Sequence, residues 1–125
     1  MTPAYHEFNA YQGDDFYQEI TLTDEDNEPI DLLAENARAD MHIKPGLKED
    51  TVLMISSVEE DGPDGDIEFE EGKIKLYIDR DKLAGIDPHR GYIYDLQIER
   101  EIDGRTVRQT WMAGSFVIEA ETTSL

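Results

Sequence analysis

The side chains in this chain that are able to do chemistry are mostly carboxylates. Asp24, Asp26 and Glu28 alternate along one loop like the opening of an EF-hand, which places oxygens at the close spacing Ca²⁺ needs to gather roughly six to eight ligands. Against that reading, Pro29 stands where the loop needs its glycine. Asp61, Asp64 and Asp66 form a looser set of the same kind. For both sets the plainer reading is a solvated hairpin loop. The histidines His6, His42 and His89 share no ligand spacing, and Ser56, Ser57, Ser115 and Ser124 lie in no nucleophile-elbow context. With 30 acidic residues, carboxylate pairs arise by chance, so a glycosidase-like pair is not argued from their presence. Gly62, Gly65 and Gly72 read as turns and not as a phosphate cradle. Cysteine is absent, which removes thiolate nucleophiles, thiolate metal sites and disulfides. The expectation is a protein that is not an enzyme and needs no cofactor.

The aromatic residues Tyr92, Tyr94 and Trp111 are the interaction candidates. They could form a platform on which a sugar ring stacks, but aromatics at period two on neighbouring strands are more often the core between two sheets. An exposed row would favour a ligand-binding module; a buried Trp111 would count against it.

These residues sit on elements that the sequence marks out well. From Gly91, Tyr92, Tyr94, Leu96 and Ile98 alternate with a mostly polar set, as a strand with one buried face requires. Asp103-Gly104 then reverses the chain in a tight hairpin, because Gly tolerates the positive φ such a turn needs. The return strand runs Thr106–Met112, and Gly114–Glu119 reads as a further, final strand. Upstream, Tyr5, Phe8 and Tyr11 mark an arm or short first strand over residues 1–12, and Gln12-Gly13-Asp14-Asp15 turns into a strand with Phe16, Ile20 and Leu22 inward. Ala37–Lys44 alternates cleanly up to Pro45-Gly46. Val52–Ser57 is an apolar run suited to a central strand. Ile67–Phe69 and Lys73–Ile78 form a hairpin across Glu70-Glu71-Gly72, with Ile74, Leu76 and Ile78 inward. Asp79–Gly85 reads as the one convincing helical turn, capped by Asp79. Residues 34–36 are long enough for at most one more turn, and 120–125 are a polar tail. The pattern predicts an all-β chain: an immunoglobulin-like β-sandwich of about 7–9 short strands with one short helical turn.

At 125 residues the chain is long enough for a single domain, 1–125, with one core. It has 11 basic and 30 acidic residues, a net charge of −19, which repels nucleic-acid phosphates and anionic lipid. Neither is therefore expected as a partner. The charge is uneven: from Arg90 onward the net is −2, so −17 falls on the first 89 residues. An acidic surface of that kind is either simply solvated or docks on a basic partner in a salt-sensitive way. The start of the sequence has neither the basic residues nor the apolar run of a signal peptide, and no stretch reaches the roughly 20 apolar residues that span a bilayer. Synthesis and retention in a cytoplasm are the expectation.

The order of the pieces carries one further signal. The series Gln12-Gly13-Asp14-Asp15-Phe16, Thr23–Leu32, Ala37–Ile43, Gly91-Tyr92-Ile93-Tyr94-Asp95-Leu96, Asp103-Gly104 and Gly114–Glu119 resembles small β-sandwich proteins of tailed bacteriophages and prophages. The N-terminal domain of the phage baseplate upper protein is similar. The likeness spans about residues 12–119 and consists mainly of turn chemistry. It departs from the pattern at Asn27-Glu28 in place of a turn glycine, at Leu33-Ala34 in place of Thr-Gly, and at Lys44 in place of Arg. The resemblance implies a virion structural protein at the tail, baseplate or fibre, made in the host cytoplasm and then built into the particle. It implies other virion proteins, and copies of the chain itself, as partners, and no catalytic residues. A carbohydrate- or calcium-binding module that aids adhesion to the host surface is the alternative.

Overall fold

The computed structural model describes residues 4–24, 26–30, 32 and 36–120. In chain order the strands are β1 (Ala4–Tyr5), β2 (Phe8–Tyr11), β3 (Phe16–Thr21), β4 (Arg38–Lys44), β5 (Leu53–Ser56), β6 (Gly65–Glu70), β7 (Lys73–Ile78), β8 (Tyr92–Ile102) and β9 (Arg105–Glu119). A 3-10 turn at Glu59–Asp61 follows β5, and the single α-helix, α1 (Arg80–Ala84), follows β7. The all-β class, the number of strands and the one helical turn agree with the sequence pattern.

Hydrogen bonding runs unbroken through one sheet in the order β1-β9-β8-β4-β5-β6-β7-β3, with β2 also on β9. β1 and β2 lie end to end in a common register along β9, Ala4 opposite Met112 and Phe8 opposite Phe116, so together they fill one edge position. The parallel pair β5–β6 that links the two halves is only two residues long, Ile55–Gly65 and Ser56–Asp66. The sheet curls until its two ends face one another. Phe16 at the start of β3 packs 5.1 Å from Phe116 on β9 and 5.7 Å from Phe8 on β2, ring centre to ring centre. The opposing layers expected of a sandwich are thus halves of one nearly closed sheet.

Alternation puts the core where the sequence placed it. Met41 and Ile43 of β4, Ile74, Leu76 and Ile78 of β7, and Leu96 and Ile98 of β8 are all buried. Asp79 caps α1 by accepting a hydrogen bond from the Asp81 N–H at 2.9 Å, and α1 contributes Leu83 to the core. Asp103 (φ 51°) and Gly104 (φ 77°) both adopt the left-handed conformation, as a two-residue type I′ hairpin turn demands.

One expectation changes and two features are sharpened. The segment from Gly114 is not a separate strand; β9 runs through it, 15 residues in all. Of the two readings of 1–12, an arm or a short first strand, the described residues take the strand, in two pieces, with Phe8 and Ala10 buried. The register of β8 on β9 slips once: Leu96 faces Met112 while Gln97 faces Thr110, leaving Trp111 as a bulged residue, so Trp111 and Met112 are both buried in succession. The helical turn considered at 34–36 lies outside the described residues except for Asn36, as does the tail beyond Ala120. Among the described residues, no helix is long and apolar enough to cross a membrane.

Candidate interaction surface

Tyr92, Tyr94 and Trp111 are core residues, which corrects their reading as a contact platform. Burial of the alternate face of β8 carries the two tyrosines inward, and their hydroxyls are consumed internally. Tyr92 donates to the Asp87 carbonyl at 2.8 Å and Tyr94 to the His6 carbonyl at 2.6 Å. Burial, with Tyr5 nearby as a lesser cause, pushes the Tyr94 hydroxyl up to about 12. Trp111 is 8% exposed at the bulge, and its indole N–H finds no acceptor among the described residues. The Arg100 guanidinium covers the ring, 5.1 Å from its centre. No ring face of the three is presented for stacking.

Among the described residues, the mostly exposed aromatic side chains are Tyr5 (77% exposed), Tyr11 (54%) and Tyr17 (50%). All three stand on strands at the two ends of the sheet, β1, β2 and β3. Their alternation with the buried Phe8, Ala10 and Phe16 was the available signal, and residue type alone obscured it.

The acidic loops turn their oxygens on their own backbone. Asp24 accepts hydrogen bonds from the N–H groups of Asp26 at 2.8 Å and Glu28 at 3.0 Å, closing a tight turn through Asn27 (φ 63°). Asp61 pairs with Arg38, Asp64 accepts from the Met54 N–H at 2.8 Å, and Asp66 lies exposed on β6. Neither set converges, and among the described residues no three His, Asp or Glu side chains are placed to hold a metal ion. An open cleft of about 370 Å³ is lined by Asp64, Asp66, Tyr77, Asp79 and Lys82, among others. The histidines remain apart: His6 is in the gap between β1 and β2, His42 contacts Thr51 on the outside of β4 at 3.4 Å, and His89 is in the loop before β8.

Among the described residues one charged side chain is buried, and the sequence did not point to it. Asp40 takes an outward position on β4 yet is only 1% exposed, because Arg38, Arg108 of β9 and Ser56 of β5 close over it. It accepts from Arg38 Nη2 at 2.8 Å and Nε at 3.2 Å, from Arg108 Nη1 at 3.2 Å and from Ser56 Oγ at 2.6 Å. Burial alone would raise its pKa, but the hydrogen bonds from Arg38, Ser56 and Arg108 outweigh burial and hold the carboxyl below its ordinary value. The Arg38 guanidinium is raised in turn, first by its bond to Asp40. Arg38 also reaches Asp61 at 3.0 Å, and Arg108 reaches Glu99 at 3.4 Å and Gln97 at 2.7 Å. A carboxylate held ionised between two guanidinium groups is not a proton carrier at neutral pH. Its effect is mechanical, tying β4, β5, β8, β9 and the 3-10 turn together across the outer face.

No known family model matches this chain, and no curated protein aligns with it significantly.

Proposed function

We propose that this chain is a non-enzymatic structural component of a tailed phage or prophage virion, acting in attachment or assembly at the tail, baseplate or fibre. Its partners are then other virion proteins and further copies of itself, and its path runs from host cytoplasm to particle. The observation that carries the reading is the role of the Gln12–Phe16 segment, where the resemblance to phage proteins begins. Gln12 donates through Nε2 to the carbonyls of Leu83 at 3.0 Å and Ile86 at 2.7 Å, and Asp15 accepts from the Arg80 N–H at 2.9 Å. These residues form the corner that carries the chain from one end of the sheet to the other, so the motif answers to a definite piece of architecture. The burial of Tyr92, Tyr94 and Trp111 weighs against the sugar-binding alternative.

Mass spectrometry of purified particles from an induced host carrying the gene tests the proposal. The protein should co-purify with tails at a fixed stoichiometry; its absence from complete virions overturns the reading.

A further inference from the structure

The two ends of the sheet are unlike in charge and both have backbone to offer. β8 and β9 outrun their neighbours: β4 follows β8 only as far as Glu99, and β1 reaches β9 only at Met112. From Arg105 to Trp111, β9 therefore has no neighbour on its outer side among the described residues. The type I′ turn makes Ile102 and Arg105 the hydrogen-bonded pair that closes the hairpin, so Thr106, Arg108 and Thr110 direct their N–H and C=O groups outward. At the other end, β3 pairs only with β7. The Leu22 N–H bonds the Gly72 carbonyl, and alternation along the strand then aims the backbone groups of Tyr17, Glu19 and Thr21 away from β7.

Charge makes these edges complementary. The charged residue of β3 is the exposed Glu19; on the free length of β9 Arg108 is held by Asp40, Glu99 and Gln97, and the exposed Arg105 is the cation available to a partner. Pairing β3 with a second β3 would set acid against acid, while pairing β3 with β9 joins opposite signs. We propose that copies of this chain join head to tail, the outer edge of β9 at Arg105–Trp111 in one copy adding to the outer edge of β3 in the next as a continuous sheet. Such a contact is heterologous, so it propagates into a ring or an open filament according to whether the rotation closes. It deepens the structural-component reading by naming a partner, and rests on that reading only for its biological purpose.

Proline supplies the test, since on an edge strand it removes an outward N–H and leaves the inner ladder intact. Thr106→Pro blocks the β9 edge and Glu19→Pro blocks the β3 edge. In light scattering coupled to size exclusion at low salt, the wild type should form assemblies larger than a dimer. Each variant alone should be a monomer with an unchanged circular dichroism spectrum. An equimolar mixture should give a heterodimer that stops at two chains, because each copy retains one usable edge. A wild type that stays monomeric at every concentration, variants that still assemble, or a mixture that stays monomeric overturns the proposal. If a proline variant fails to fold, Arg105→Glu and Glu19→Lys replace the pair: each alone should weaken assembly and the two in one chain should restore it, and failure of that rescue has the same force. Self-assembly of a protein missing from virions would remove the functional reading and leave this interface standing; a virion protein that never self-associates would do the reverse.

Discussion

Asp40 shows how much one residue's surroundings decide. Its outward place on β4 would ordinarily leave a solvated carboxylate, yet two arginines and a serine bury it in charge-assisted hydrogen bonds. Because the folded state lowers its pKa, the stability it contributes is fully present above its unfolded value of about 3.9 and is lost as pH falls through the folded value. Asp40→Asn leaves Arg38 and Arg108 facing a neutral amide. Both arginines are partly open to water, which moderates the loss, so the expected cost is about 1–3 kcal/mol at neutral pH. Urea unfolding at about pH 7 and about pH 3 should show the gap between variant and wild type closing at the lower pH; a gap of equal size at both removes the assignment. Trp111 is a packing residue by the same standard, and Trp111→Ala should cost about 3–5 kcal/mol through the cavity it leaves beneath Arg100. A melting temperature unaltered by that substitution would contradict its burial.

At the scale of elements, the parts legible in the sequence were those set by neighbours in the chain. Asp103-Gly104 predicts its own turn, Asp79 caps its own helix, and the alternation of Ile74, Leu76 and Ile78 states which face is buried. The parts that could not be read depend on residues far apart in sequence. Gly114 looks like punctuation, but a Cβ built there would lie 2.3 Å from the His6 carbonyl oxygen, so the glycine is demanded by the edge strand lying against β9. The bulge at Trp111 likewise breaks the period-two pattern for a reason visible only once β8 is alongside. The carboxylates weighed as calcium ligands have two readings in sequence because short loops use the same residues to satisfy their own N–H groups, as Asp24 and Asp64 do here. Gly114→Ala should therefore act on β1 and β2 more than on the hairpin, pushing Ala4–Tyr11 off β9. Hydrogen exchange at Phe8 and Ala10 is expected to accelerate well before exchange at Leu96 and Ile98; uniform acceleration would mean that the edge and the hairpin open as one unit.

For the whole molecule, the dominant physical fact is a net charge of −19 on 125 residues. Part of it is offset in place: Lys75 of β7 lies between Glu19 of β3 and Glu68 of β6 and bonds Glu70, which lowers the Glu70 carboxyl and raises the Lys75 ammonium. These groups are open to solvent, so screening leaves them little influence on stability. What remains is long-range repulsion among carboxylates, which strains the compact state more than an expanded one. Salt should act on the two kinds of electrostatics differently. Added NaCl shortens the screening length to about 10 Å at 0.1 M and removes repulsion between distant surface charges, while the buried contacts around Asp40 lie far inside that distance. The melting temperature should therefore rise as NaCl increases from about 10 mM to about 0.5 M, and Asp40→Asn should rise in parallel with the wild type from a lower start. Measured on the Thr106→Pro variant, whose blocked edge removes any contribution from assembly, a melting temperature that falls with salt would mean that surface ion pairs outweigh self-repulsion.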